Sequence, residues 1–295
     1  MTDPLERDVL KWYNKQQYNR IGNDISVTEL MRPPRVNHLT ARYKQVRPPK
    51  TKVSKIIASL QGNGVHDQLQ RYLKREASVN NNWMVERRLC SVIDGVRVSG
   101  RFDAMYNRED LYDIKVTKAY KFIKGDFYEW EEQLNAYDWM LWKDGISIKH
   151  LRIYMVVSDW NRGETHQRNY PPTNINIISI KKWDRTEQEN WMRTRVGLWK
   201  SSKSLKDEDL PLCTNKERWA TNTIWKLYRT PTLKRATKTF PTEARAKAYM
   251  NVCQRKDPSK WGTAVIEPYV GDQWKRCDWC DAQPNCNQYQ NKILP

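Results

Sequence analysis

The stretch that decides the fold is Trp83–Thr117, WMVERRLCSVIDGVRVSGRFDAMYNREDLYDIKVT. Two runs rich in β-branched and apolar residues, Trp83–Ile93 and Val96–Tyr106, flank Asp94-Gly95. That dipeptide is a two-residue hairpin signal, because both turn positions need positive φ. A second turn at Asn107–Asp110 leads into Leu111–Thr117, so the stretch predicts three consecutive antiparallel strands. Upstream, Ile56, Ile57, Leu60, Val65, Leu69, Tyr72 and Leu73 recur at helical spacing between Ser54 and about Arg75. Gly62 and Gly64 interrupt that pattern, which predicts two helices or a kinked one, with His66 opening the second piece. Downstream, Tyr128–Trp142 places Trp130, Leu134, Tyr137 and Leu141 on one helical stripe, and Leu151–Val157 returns to strand. Helix, three strands, helix, strand is the order of an α/β sandwich.

Further along, Ile175–Ile180 reads as a strand, and Asp184-Arg-Thr-Glu187 as a capping box opening a helix to about Trp199. From Trp225 the order is strand, strand, helix (Thr242–Gln254) and strand (Ala264–Tyr269), a small ββαβ insert. The proline pairs in Arg32–Arg35 and Arg47–Lys50 read as breaks. The expected organisation is a basic, helical N-terminal region (1–53), a core (54–210), and the insert with a cysteine-bearing segment (211–295).

Composition narrows the function. The 295 residues carry 52 Lys and Arg against 34 Asp and Glu, a formal net charge of +18. A charge this large repels itself in the compact state and fits a polyanionic partner. Fourteen Trp, fifteen Tyr and four Phe argue against disorder. No stretch approaches the roughly 20 apolar residues of a membrane span, so no membrane partner is expected. The first residues, MTDPLERDVLKWYNKQQ, hold no apolar run of the signal-peptide kind. Six Cys are too sparse for a disulfide framework. Both point to a reducing, cytoplasmic compartment.

On a strand, residues i and i+2 share a face, so Asp113 and Lys115 point the same way and Ile114 into the core. Asp103 lies ten positions earlier across a short turn, where hairpin geometry brings its carboxylate beside that of Asp113. Two such carboxylates repel, and Mg²⁺ or Mn²⁺ is the natural third party. A lysine beside the ion can orient or deprotonate a water for attack on a phosphate, and His66 is a candidate further ligand.

Gly100-Arg-Phe-Asp103, Asp113-Ile-Lys115 and Gln133-Leu-Asn-Ala-Tyr137, preceded by Gly62–His66, resemble in order and spacing the RecB-like branch of the PD-(D/E)xK nucleases. The resemblance implies a restriction-endonuclease-like α/β sandwich with a central mixed sheet flanked by helices. It implies His66, Asp103, Asp113 and the Ile114 carbonyl as metal ligands, and Lys115 as the catalytic lysine. Gln133 and Tyr137 become the residues that support the site and contact DNA. Glu86 matches a recurrent acidic position but is left outside the ligand set.

Cys277, Cys280 and Cys286 have C-x2-C-x5-C spacing, by default a metal or cluster site in a reducing compartment. Of the fourth-ligand candidates, Cys90 falls in a strand and Cys253 in an amphipathic helix, and both read as buried. Cys213 sits in a loop, Leu-Pro-Leu-Cys-Thr, and is chosen. Three C-terminal cysteines closed by a distant one resemble the iron–sulfur nucleases related to AddB, and the Pro-Leu-Cys213 loop resembles their phage-encoded members. The resemblance implies a structural [4Fe–4S] cluster, with zinc the alternative. It also implies an exonuclease processing DNA ends in phage recombination or replication, beside a single-strand annealing or recombination protein, in the host cytoplasm.

Lys and Arg cluster at Arg42–Lys55, Lys115–Lys124, Arg193–Lys206 and Tyr228–Lys238, interleaved with Tyr120, Phe122, Trp199 and Tyr228. This pattern suits DNA held by charge and stacking without sequence readout. Three rival readings remain: a structure-selective or nicking endonuclease, a non-catalytic DNA-binding module, and a zinc-stapled RNA-binding protein.

Overall fold

A computed structural model describes residues 24–43 and 57–294. The expectations for residues 1–23, for the second proline break and for most of the Arg42–Lys55 cluster lie outside the described residues. The chain divides into two compact units. The first takes in described residues 24–34 and 57–204, the second 35–43 and 205–294. Both are mixed α/β, with helices packed on sheets.

In the first unit the strands are β1 (Ile25–Ser26), β2 (Trp83–Val85), β3 (Arg88–Ile93), β4 (Val96–Arg101), β5 (Ala104–Tyr106), β6 (Asp110–Thr117), β7 (His150–Val157) and β8 (Ile175–Ile180). They form two sheets, in the orders β1-β4-β3 and β2-β5-β6-β7-β8. The β3–β4 hairpin turns at Asp94 and Gly95, with φ of +49° and +81°, as the Asp-Gly signal requires. The larger sheet is mixed: β6 and β7 run parallel and the other neighbours antiparallel. Along β7, Leu151, Ile153, Met155 and Val157 are buried while the residues between them are partly exposed. That period-2 alternation seats the strand on the core.

Three expectations need correction. The two long strands of the decisive stretch are each broken, at Glu86-Arg87 and at Phe102-Asp103. The breaks face each other, since the Glu86 N–H donates to the Asp103 carbonyl (3.1 Å) and Glu86 has φ +53°. Breaking both strands at one level lets 88–101 leave the larger sheet and pair with β1, burying Leu89 and Val98. Second, of the two readings offered, the two-helix one fails: Ile57–Val79 is one helix running through Gly62 and Gly64. Each glycine costs about 1 kcal/mol relative to alanine, and packing on β2 and β6 outweighs that. Third, Cys90 is exposed rather than buried, on the outward side of β3.

Tyr128–Lys143 packs on β3 and on β6–β8. Asp184 caps Arg185–Ser202, its side chain accepting the Glu187 N–H (2.8 Å). A short helix the sequence reading passed over, Ala119–Lys124, follows β6 directly. The proline pair at 33–34 starts a helix, Pro34–Arg42, instead of merely breaking one, since proline suits the first helical turn.

The second unit holds that helix and a three-stranded antiparallel sheet of β9 (Ile224–Tyr228), β10 (Lys238–Phe240) and β11 (Val265–Tyr269), in the order β10-β9-β11. With the Glu243–Lys256 helix this is the expected ββαβ arrangement. Arg35, fully buried, ties the unit together. Its guanidinium donates to the carbonyls of Pro211 (3.1 Å), Asp207 (3.2 Å), Glu208 (3.4 Å) and Leu210, and to the Asn287 side chain. No helix among the described residues is long and apolar enough to cross a membrane.

Candidate active site and cysteine cluster

β6 brings Asp113 and Lys115 to one side, as the i, i+2 rule requires. Lys115 Nζ lies 2.6 Å from Asp113 Oδ2. Asp113 Oδ2 is a buried carboxylate oxygen whose close partner is this ammonium. Asp113 is 2% exposed. Burial pushes its carboxyl up to about 6, with Asp103 adding to the rise and Lys115 opposing it.

Asp103 sits at the bend before β5. Its Oδ2 accepts the Ile114 N–H (2.7 Å), and its Oδ1 lies 3.1 Å from His66 Nε2. One carboxylate therefore fastens the middle of β6 and reaches the Ile57–Val79 helix. His66 titrates above its usual range, first because it bonds to Asp103 and then because Asp103, Asp113 and Asp67 surround it with negative charge. Gln70, one turn on and nearly buried, stands 3.1 Å from the same imidazole nitrogen.

On the opposite side of Lys115, its ammonium donates to Gln133 Oε1 (2.9 Å), and Gln133 Nε2 donates to Tyr137 Oη (3.2 Å). Gln133 and Tyr137 are four apart on one helix face, which is why their side chains meet. Burial holds the Tyr137 hydroxyl well above its ordinary range, so it stays neutral. The pair acts on Lys115, positioning it.

Gly100 explains its own place in the pattern. A Cβ there would come within 2.5 Å of Tyr137 Cε1 and 3.3 Å of Val27 Cγ2. Gly100→Ala is expected to cost about 1–3 kcal/mol by overpacking and to push Tyr137 off Gln133. Urea denaturation and a cleavage assay check it; a variant as stable and active as the parent would show that the ring has room to move.

The structure thus brings His66, Asp103, Asp113, Ile114, Lys115, Gln133 and Tyr137 into one neighbourhood. The Glu86 carboxylate is ion-paired to Lys74 and to Arg101 (3.4 Å). Gln70 was missed, and its signal was its place four residues after His66 on the helix.

In the second unit Cys213 is buried, and Cys280 and Cys286 pack against Leu39, Leu210 and Ala282. Burial pushes the Cys213 thiol up to about 12, with Glu217, Cys286 and Cys280 adding to the rise. Burial takes Cys277 to about 11, with contributions from Cys280 and Cys286. Cys280 and Cys286 thus act on both Cys213 and Cys277. The Gln288 amide clasps the Cys213 backbone, accepting its N–H (2.8 Å) and donating to its carbonyl (2.9 Å). Arg218, also buried, donates to the same carbonyl and lies 4.4 Å from the Trp274 ring centre. Neither Gln288 nor Arg218 was singled out from the sequence; a buried polar clasp has no periodicity to reveal it. Cys253 lies outside this group, on the Glu243–Lys256 helix. Among the described residues, no three His, Cys, Asp or Glu side chains already stand in a geometry that holds a metal ion.

No family model matches the chain, and no curated protein matches it. Solved structures do resemble it. The crystal structure of SSO0001 is 20% identical with a TM-score of 0.43, over 65% of this chain and 83% of that one. A protein described as "Putative exonuclease", from Eubacterium rectale, is 10% identical with a TM-score of 0.32, over 66% and 73%. Similarity at this level leaves function to be argued from the site.

Proposed function

We propose that the chain is a divalent-metal-dependent DNA nuclease with a RecB-like PD-(D/E)xK core of restriction-endonuclease-like form, acting as an exonuclease on DNA ends. The observation that carries this reading is the buried Asp113 paired with the partly exposed Lys115, with Asp103 and His66 beside the carboxylate and Gln133 and Tyr137 behind the ammonium. A protein that only binds DNA gains nothing by burying a carboxylate at a cost in stability.

The donor set suits Mg²⁺ or Mn²⁺. Asp113 presents a buried anionic oxygen, close enough to Asp103 to feel its charge. Lys115 and His66 lie beside the two carboxylates, whose hard oxygen donors suit a hard cation. His66, Asp103, Asp113 and the Ile114 carbonyl would hold it. When bound, the ion would supply Lewis-acid charge and a more acidic water. Lys115 is placed to orient the attacking water and to offset the charge building on the phosphate. Gln133 fixes the ammonium, and Tyr137 fixes Gln133. Asp103 ties down the Ile114 N–H, so β6 cannot slide relative to the helix that carries His66.

Cys213, Cys277, Cys280 and Cys286 would hold a structural [4Fe–4S] cluster, with zinc as the alternative occupant of the same thiols. The influence of Cys280 and Cys286 on both Cys213 and Cys277, and the fixed backbone of Cys213, support the reading. The DNA partner follows from the +18 charge. An end-processing enzyme of this kind would work beside a single-strand annealing protein in phage recombination.

The test is incubation of the purified protein with Mg²⁺ or Mn²⁺ and end-labelled linear, nicked, closed circular and single-stranded DNA. Linear molecules should be degraded from their ends, closed circles spared, and EDTA should stop the reaction. Cutting of closed circles would make it an endonuclease. A cluster-loaded, folded protein that cuts none of the four would remove the nuclease reading.

A further inference from the structure

The ββαβ segment has one sheet face packed by its helix, and another on which Thr239, Glu267 and Tyr269 are exposed and Lys226, Tyr228 and Val265 half-buried. Residues paired across neighbouring strands share a side. The register pairs Leu227 with Lys238 and Ile266, and Trp225 with Phe240 and Pro268. The Glu243–Lys256 helix packs on that side of all three strands. Leu227 and Ala246 are fully buried there, and the Phe240 and Tyr249 rings meet at 5.3 Å. The other side must then carry Ile224, Lys226, Tyr228, Thr239, Val265, Glu267 and Tyr269. Tyr269 is 51% exposed, with Lys226 Nζ 3.6 Å from its ring centre.

The charge of the segment is lopsided. Residues 221–271 hold ten Lys and Arg against three Asp and Glu. Arg229, Lys234 and Arg235 fall in the β9–β10 connection, next to Tyr228, and the one acid on this second face, Glu267, sits opposite Lys226. A polyanion fits this charge, and the tyrosines say which kind. Duplex bases are stacked on each other and offer no faces, whereas an unpaired strand offers every base for stacking. Tyr228 lies opposite Val265, four residues from Tyr269, which is about 13 Å along the strand. That spacing suits two or so nucleotides of extended single strand, with Lys226 between them for a phosphate.

We propose that the face of β9–β11 away from the Glu243–Lys256 helix is a single-stranded-DNA-binding site, with Tyr228 and Tyr269 as base platforms and Lys226 as a phosphate contact. It deepens the nuclease reading by naming a strand the enzyme would hold apart from the bond it cuts.

The test uses the full chain in EDTA, with fluorescence anisotropy on a labelled oligothymidylate and on a duplex of equal length. The wild type should prefer the oligothymidylate. Tyr269→Ala and Tyr228→Ala should each weaken its binding by about fivefold or more. Tyr269→Trp, which keeps a ring, should retain it and so controls for folding. Alanine variants that bind like the wild type, or a wild type that prefers duplex, would overturn the proposal. The outcomes separate from those of the nuclease reading. A wild type that cuts DNA while its alanine variants bind normally sinks this inference alone. A wild type that cuts nothing while those variants lose binding sinks the nuclease reading alone.

Discussion

Lys115→Ala is expected to lower metal-dependent DNA cleavage by on the order of a thousandfold, at the middle of the range for a positioned proton-transfer group. Affinity for DNA should change little, because one of 52 basic residues is lost. The side chain is a quarter exposed and is held by a carboxylate on one side and an amide oxygen on the other. Its removal leaves Gln133 and Asp113 in place without the charge between them. Lys115→Arg should not rescue cleavage, because a planar guanidinium cannot occupy the compact ammonium position 2.9 Å from Gln133 and 2.6 Å from Asp113. Single-turnover cleavage beside anisotropy on uncleaved DNA separates the two effects. Near-normal cleavage by the alanine variant would take Lys115 out of the mechanism.

Asp113→Asn should do two opposite things: abolish cleavage and stabilise the metal-free fold. The folded-state carboxyl titrates at about 6 against an ordinary 3.8, because burial disfavours its charge. The folded protein therefore binds this proton more tightly than the unfolded chain. The group's favourable contribution is full below 3.8 and is lost as pH rises through about 6. At pH 8 the ionised carboxylate works against folding by roughly 1–3 kcal/mol, the upper figure being the full shift converted at 1.36 kcal/mol per unit. Asparagine keeps the shape without the charge. Urea midpoints in EDTA should diverge in its favour between pH 4 and pH 8, and converge at the acid end. Equal midpoints at pH 8 would mean that the Lys115 ammonium already neutralises the carboxylate fully. Stability given up at a site for the sake of its chemistry is a common trade.

Local signals carried much of the fold. Asp94-Gly95 named its turn because few dipeptides accept two positive φ values, and β7 announced itself by alternation. The site residues were legible because i, i+2 on a strand and i, i+4 on a helix fix which side chains meet. Hidden from view was whatever depends on distant partners. The strand breaks at Glu86-Arg87 and Phe102-Asp103 come from β1 capturing the hairpin, a pairing some 70 residues away in sequence. Gly62 and Gly64 looked like helix breakers because the packing that overrides them is tertiary. Gly100 was legible as part of a pattern, while its reason, the Tyr137 ring, was visible only in three dimensions.

Arg35 sets an order on biosynthesis. Its acceptors lie between 172 and 252 residues further on. As the polypeptide leaves the ribosome, this guanidinium emerges early and stays hydrated through most of translation. Its burial awaits residues 207–211, and the last contact awaits Asn287. The unit that carries Asp113 and Lys115 ends at residue 204, whereas the other cannot close until Asn287 is made, so a prematurely released product would leave this guanidinium short of its acceptors.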